Sequence, residues 1–218
     1  MGLSEMGIKF APRLTKVAEV EPIRDAAIIK REPMLFSCDL EHAKLLGGPL
    51  TREVLEKLEE VLPAPRGGRN WVVDTRVHML KPHFYPAIPG WHGDAVGRGE
   101  NGQPEAFAED AGQRHYAVLL ETTPDLAPTD FLIEEVEVEI DPEAVWKSVD
   151  AAVNEKEVKH APLPAGDVCE FTTETLHRCT AATGTGWRFF FRCSEMKTTP
   201  RNEIRTQVQT YVDINQGW

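Results

Sequence analysis

Residues 89 to 94 read PGWHGD and close a longer run, RVHMLKPHFYPAIPGWHGD. Strand-forming residues give way there to turn residues, and an imidazole and a carboxylate follow two positions apart. In an extended chain, residues i and i+2 point to the same face, so His92 and Asp94 can grip one object together. An imidazole nitrogen and a carboxylate oxygen suit a divalent transition metal. A polar turn would show the same two residues, so a third ligand decides between the two readings.

The chain has seven histidines. His42, in EHAKLL, reads as a surface residue at a helix start or turn, and His160, in EKEVKHAPLP, as part of a polar connection. His83 and His115 border strands and suit structural roles. His177 differs. It lies in PAGDVCEFTTETLHRCTAATGTGWRFFFRCS, where PAGD makes a turn, VCEFTT a strand, and His177 opens another strand. The glycine-rich TGTG then leads into WRFFFRCS, and the two strands are expected to form an antiparallel hairpin. On the last strand Arg188, Phe190 and Arg192 share one face, while Trp187, Phe189 and Phe191 share the other. Both faces read as buried, so the arginines are expected to meet anions, either internal carboxylates or a ligand, or to fill a polar interior.

His92-x-Asp94, a distal His177 that lies 83 residues past Asp94, and Arg188 eleven residues beyond His177 together resemble the iron(II)- and 2-oxoglutarate-dependent oxygenases. The GD turn before the distal-histidine strand is similar to the phytanoyl-CoA-hydroxylase-like members of that superfamily. The resemblance covers about residues 71 to 195. It implies that His92, Asp94 and His177 bind Fe(II), that 2-oxoglutarate and O2 are co-substrates, and that succinate and CO2 are released as a small molecule is oxidised, by hydroxylation first of all. Two imidazoles and one carboxylate occupy one face of an octahedral ion and leave three positions open, unlike a closed zinc site. Arg188 would anchor the far carboxylate of 2-oxoglutarate, because guanidinium binds carboxylate through two parallel charge-assisted hydrogen bonds. Arg192 would assist at the other carboxylate or hold an anionic substrate. Asp94 stands where halogenases keep a small residue, which disfavours halogenation. Two other readings are a metal cupin that does not use 2-oxoglutarate and a non-catalytic jelly-roll module in which His92 and Asp94 form a turn.

Such a site needs strands to present it. From Trp71 onward short runs alternate with turns, among them WVVDTRVHML, HYAVLLETT, FLIEEVEVEI and IRTQVQTYV. In one of them Val136, Val138 and Ile140 face one way and Glu135, Glu137 and Glu139 the other, the period of a half-buried strand. Two helices are expected. LTREVLEKLEEVLP has Thr51 as its cap and prolines at its end, and DPEAVWKSVDAAV has Asp141 as its cap and Pro142 at its first position. The fold expected is mainly β with flanking α-helices, a double-stranded β-helix (jelly roll, cupin-like). It is read as one domain over 1–218, with N-terminal support to about residue 70 and a metal-binding core over about 71–212. Arg76, His78, Tyr116 and Thr129 have the parity to line its cavity, although core or surface roles fit them too. Trp91 would wall the site, and Cys179 reads as a small buried hydrophobe. The Gly- and charge-rich segment 95–113 is a lid candidate.

Composition bounds the partners. A net charge of −11 over 218 residues argues against broad nucleic-acid or anionic-membrane binding, which needs clustered Lys and Arg. No apolar run is long enough to span a bilayer, and the N-terminus shows no secretory or myristoylation pattern. Four cysteines without a C-x-x-C pair suit a reducing, cytoplasmic setting. No G-x-S-x-G or P-loop is present, which removes the serine-hydrolase and nucleotide-binding readings.

Overall fold

The structure is a computed structural model that describes residues 6–94, 99–100, 102–104, 113–207 and 210–212. The elements, in chain order, are β1 (Met6–Phe10), β2 (Leu14–Glu19), α1 (Ala26–Ile29), β3 (Leu35–Phe36), α2 (Leu40–Leu46), α3 (Pro49–Glu59), β4 (Asn70–Leu80) and β5 (Phe84–Tyr85). There follow β6 (Arg114–Glu121), β7 (Thr129–Leu132), β8 (Val136–Ile140), α4 (Val145–Glu155), β9 (His160–Pro162), β10 (Asp167–Thr172), β11 (His177–Cys179), β12 (Gly186–Met196), β13 (Glu203–Ile204) and β14 (Tyr211–Val212). The protein is mainly β, its sheets are antiparallel, and no described helix is long and apolar enough to cross a membrane.

Five strands form the main sheet in the order β2-β10-β6-β12-β4. A second sheet, β11-β7-β9, faces it. Segment 83–92 extends that second sheet along β11 through backbone bonds such as Ala182 N to Phe84 O (2.8 Å), Cys179 N to Ile88 O (3.2 Å) and His177 N to His92 O (3.0 Å). Phe131 from β7 and Phe171 from β10 meet edge to face at 5.1 Å and join Ala117, Leu119, Leu163 and Cys169 in an apolar plug between the sheets.

Helices α1 to α3 cover the other face of the main sheet. Ile29, Ala43, Leu50 and Val54 pack there on Val73, Val118, Phe189 and Phe191. Both phenylalanines are fully buried, each contributing roughly 1.5–3 kcal/mol of transfer free energy. This explains the alternation along β12: the apolar face seals the helices to the sheet, and Arg188, Phe190 and Arg192 turn toward the space between the sheets.

Three local expectations are corrected. His177 and WRFFFRCS do not form a hairpin, because β11 pairs with β7 while β12 pairs with β4 and β6. The TGTG turn carries the chain from one sheet to the other, which lets both layers bury their inner faces. Thr51 is inside α3 rather than at its cap; the buried Glu32 carboxylate accepts from Leu50 N (2.6 Å), Thr51 N (3.3 Å) and Thr51 Oγ1 (2.8 Å). A carboxylate from a distant turn thus satisfies the helix end that a local hydroxyl was expected to satisfy. Asp141 caps a turn instead, accepting from Glu143 N (2.9 Å), and α4 starts only at Val145.

Candidate metal centre

His92, Asp94 and His177 come together at one end of the space between the sheets. Their ligating atoms all lie within 4.8 Å of one another, and the two imidazole centroids are 4.7 Å apart. Each histidine sits where segment 83–92 and β11 bridge, so the sheet itself sets their separation. The backbone also sets their tautomers. Nδ1 of His92 lies 2.8 Å from Gly90 O, and Nδ1 of His177 lies 3.1 Å from Thr175 O. A carbonyl only accepts, so each Nδ1 carries its proton and each Nε2 presents a lone pair. Nε2 of His177 lies 3.3 Å from Asp94 Oδ2. Two acceptors that face one another at that distance need a proton or a metal cation between them.

Helix α4 holds the His-Asp loop. Asp150 accepts from Trp91 N at 2.8 Å, and Asn154 Oδ1 accepts from Trp91 Nε1 at 3.3 Å. Trp91 is buried among Val149, Val153 and the β8 valines, so it anchors the loop to that cluster. Between His92 and Asp94, a Cβ on Gly93 would stand 2.7 Å from Thr173 O, which leaves no room for a side chain. This role of α4 was not read from the sequence, and no short-range signal carries it.

Electrostatics favour the metal-ready forms. Burial and the neighbouring His177 push His92 down to about 4, so it is neutral at physiological pH. Burial by itself would raise Asp94, but Arg192 and His177 reverse that and hold it well below the usual carboxylate range.

These three side chains open onto a cavity of about 540 Å³, within the range of small-molecule sites. Its floor is built from cross-strand neighbours on β4 and β12: His78 opposite Arg188, Arg76 opposite Phe190, and Asp74 opposite Arg192. Arg188 is 2 % exposed. Nη2 of Arg188 donates to Thr129 Oγ1 at 2.8 Å, its Nε has no hydrogen-bond partner, and no carboxylate of the described residues forms a salt bridge with it. Arg192 shares the cavity but is engaged, with Nη1 2.5 Å from Asp94 Oδ1 and Nη2 3.5 Å from Asp74 Oδ2. Arg188 thus has no salt bridge among the described residues, whereas Arg192, expected to assist at the other carboxylate or hold an anionic substrate, bridges two internal carboxylates.

Of the less specific expectations, Arg76, His78, Thr129 and Cys179 line the cavity. Tyr116 does not; it packs on Trp71 and its hydroxyl donates to Glu170 at 3.0 Å. His115 is buried between Ser194 Oγ (2.9 Å) and Thr173 Oγ1 (3.2 Å), and His42 and His160 are exposed with carboxylate partners. Asp74, Arg205, Gln207 and Tyr211 line the cavity and were not anticipated. Asp74 shares the parity of Arg76 and His78 and was reachable by the same argument; the others come from the tail, where β14 pairs with β5. Most of the lid candidate 95–113 lies outside the described residues.

No protein-family model and no curated protein matches this sequence. Among solved structures the chain has a weak neighbour, the non-heme monooxygenase ThoJ in complex with nickel. The two share 13 % identity over 80 % of this chain and 78 % of that one, at a TM-score of 0.34. A likeness of that degree carries neither fold nor chemistry, which rest on the geometry above.

Proposed function

We propose that the protein is an Fe(II)- and 2-oxoglutarate-dependent oxygenase that oxidises a small molecule, built on a double-stranded β-helix with residues 1–70 as its support. The strand path supports the fold: the chain runs β4, segment 83–92, β6, β7, β9, β10, β11, β12, and passes between the facing sheets as a jelly roll does. One observation carries the chemistry. A two-histidine, one-carboxylate cluster with fixed tautomers shares a cavity with a buried guanidinium that forms no salt bridge with any carboxylate of the described residues.

His92, Asp94 and His177 would hold the iron through Nε2, a carboxylate oxygen and Nε2. Gly90 O and Thr175 O keep the rings turned toward it. Three protein ligands suit a catalytic ion better than a closed structural one. Arg188 would receive the distal carboxylate of 2-oxoglutarate, with Thr129 orienting the guanidinium. Phe190, beneath the Arg188 guanidinium at 5.3 Å, limits its motion and excludes water. When bound, iron, 2-oxoglutarate and O2 supply the oxidising equivalents, with succinate and CO2 as co-products.

Anaerobic addition of 2-oxoglutarate to the Fe(II) protein tests this. The expected result is one iron per chain and a visible metal-to-ligand charge-transfer band. His177→Ala should lose the iron and the band, while His42→Ala should keep both. Stoichiometric iron with no response to 2-oxoglutarate would reassign the protein to a cupin that does not use it. No stoichiometric metal at all would leave a binding module.

A further inference from the structure

The cavity carries more positive charge than its walls neutralise. Among the described residues that line it, Arg76, Arg188, Arg192 and Arg205 face two carboxylates, Asp74 and Asp94. With Arg188 set aside for 2-oxoglutarate and Asp94 held by Arg192, one carboxylate remains for the others. Asp74 is approached by three guanidinium groups: Arg192 at 3.5 Å, and Arg76 and Arg205 each at 3.9 Å. At 3.9 Å neither of the last two makes a hydrogen bond with it. Burial holds Arg76 down to about 10, with Arg205 and Arg192 adding to the effect against Asp74, and the group is still cationic at neutral pH. Arg205 is held in place by Phe36, whose ring its guanidinium covers at 3.7 Å. In a protein of net charge −11, such a local excess of cations runs against the overall balance.

We propose that Arg76 and Arg205 form a subsite for an acidic group of the substrate, so that the protein acts on small-molecule carboxylates. Two planar guanidinium groups crowded around one shared acid gain most from a second anion that both can reach. Asp74 then serves as a spacer: it keeps the cations together while leaving their outer N–H groups to the ligand. The proposal rests on the oxygenase reading only in naming the bound acid as substrate; the anion subsite itself does not require it.

Calorimetric titration decides the matter, with 3-phenylpropanoate and 3-phenylpropanamide as a matched pair and inorganic phosphate as a smaller anion. The protein is used metal-free and loaded with Mn(II) and N-oxalylglycine, which fills the co-substrate site. The acid should bind at least tenfold tighter than the amide. Arg76→Gln and Arg205→Gln should each weaken the acid about tenfold and leave the amide unchanged. Asp74→Asn should act in the opposite sense and tighten both acid and phosphate, a gain that a damaged fold would not produce. Equal binding of acid and amide, or acid binding unaltered in both glutamine variants, overturns the subsite. If N-oxalylglycine affinity instead follows Arg76 or Arg205, those residues belong to the co-substrate and the proposal also fails. Manganese content measured on the same samples keeps the two readings apart. Loss of acid preference in manganese-loaded protein removes only the subsite, whereas acid preference in protein that takes up no metal removes only the oxygenase.

Discussion

Replacing Arg188 by Met separates a residue kept for a ligand from one kept for the fold, because the two roles predict opposite signs. Arg188 is 2 % exposed, makes one hydrogen bond, to Thr129, and has no salt-bridge partner among the described residues. Burying a cation without an anion costs several kcal/mol after relaxation. Met keeps the length and apolar stem but removes the charge; the lost bond to Thr129 and the contact with Phe190 at 5.3 Å offset part of the gain. The ligand-free Arg188→Met protein should therefore be more stable by about 1–2 kcal/mol. For a chain of this size that raises Tm by roughly 2–8 °C. The same change should weaken 2-oxoglutarate by about 2–5 kcal/mol, from roughly 30-fold to several-thousand-fold, and leave Mn(II) affinity intact. Urea melts of the metal-free protein and 2-oxoglutarate titrations of the Mn(II) protein supply the two numbers. A variant that melts lower and still binds 2-oxoglutarate like the parent would refute the assignment, since Arg188 would then be a structural residue.

Three further outcomes are expected. Gly93→Ala should weaken Mn(II) at least tenfold while changing global stability little, because its Cβ would press on Thr173 O at 2.7 Å and shift the loop between the ligands; equal metal affinity by calorimetry would contradict this. Glu32→Ala should cost about 2–3 kcal/mol in urea melts by orphaning the first N–H groups of α3, with metal binding untouched. His115, which burial pushes down to about 3, stays neutral in the native state while the unfolded chain takes up a proton near pH 6.5, so stability falls with pH below 6.5 by about 1.4 kcal/mol per unit. His115→Gln should accordingly lose about 2–3 kcal/mol less than the parent between pH 7 and 4.5, and equal losses in denaturant melts at the two pH values would count against it.

How much of this the sequence showed depends on the range of the interactions involved. Period-two alternation is local, and it placed Val136, Val138 and Ile140 inward on β8 and divided β12 into an apolar face and an arginine face. Strand pairing is not local. TGTG flanked by strands reads as a hairpin, and only the need of two sheets to cover each other's inner faces sends β11 and β12 apart. The cap of α3 failed for the same reason, since Glu32 reaches it from 18 residues upstream.

The site follows the same rule. His92 and Asp94 were legible because they share a face at a strand end, and His177 because one strand-opening histidine stood apart from the surface ones. What spacing could not give is which arginine already has partners. Arg188 and Arg192 have the same parity on the same strand, but the residues opposite them in register differ: His78 on β4 and Glu121 on β6 for one, Asp74 on β4 and Ala117 on β6 for the other. Asp74 matches the charge of Arg192 from the neighbouring strand, whereas Glu121, opposite Arg188 on β6, turns its carboxylate to Leu126 N (3.0 Å) and Ala127 N (2.9 Å) instead. A sequence that put Asp at position 78 instead of 74 would show the same H-x-D, the same distal histidine and the same arginine spacing. Its Arg188 would be an internal salt bridge, and the cavity would have no cation to offer a dicarboxylate at that end. Whether Arg188 gains an internal ion pair thus depends on the residues opposite it on β4 and β6 and on the backbone groups that engage Glu121, and single-residue spacing along one strand does not contain that.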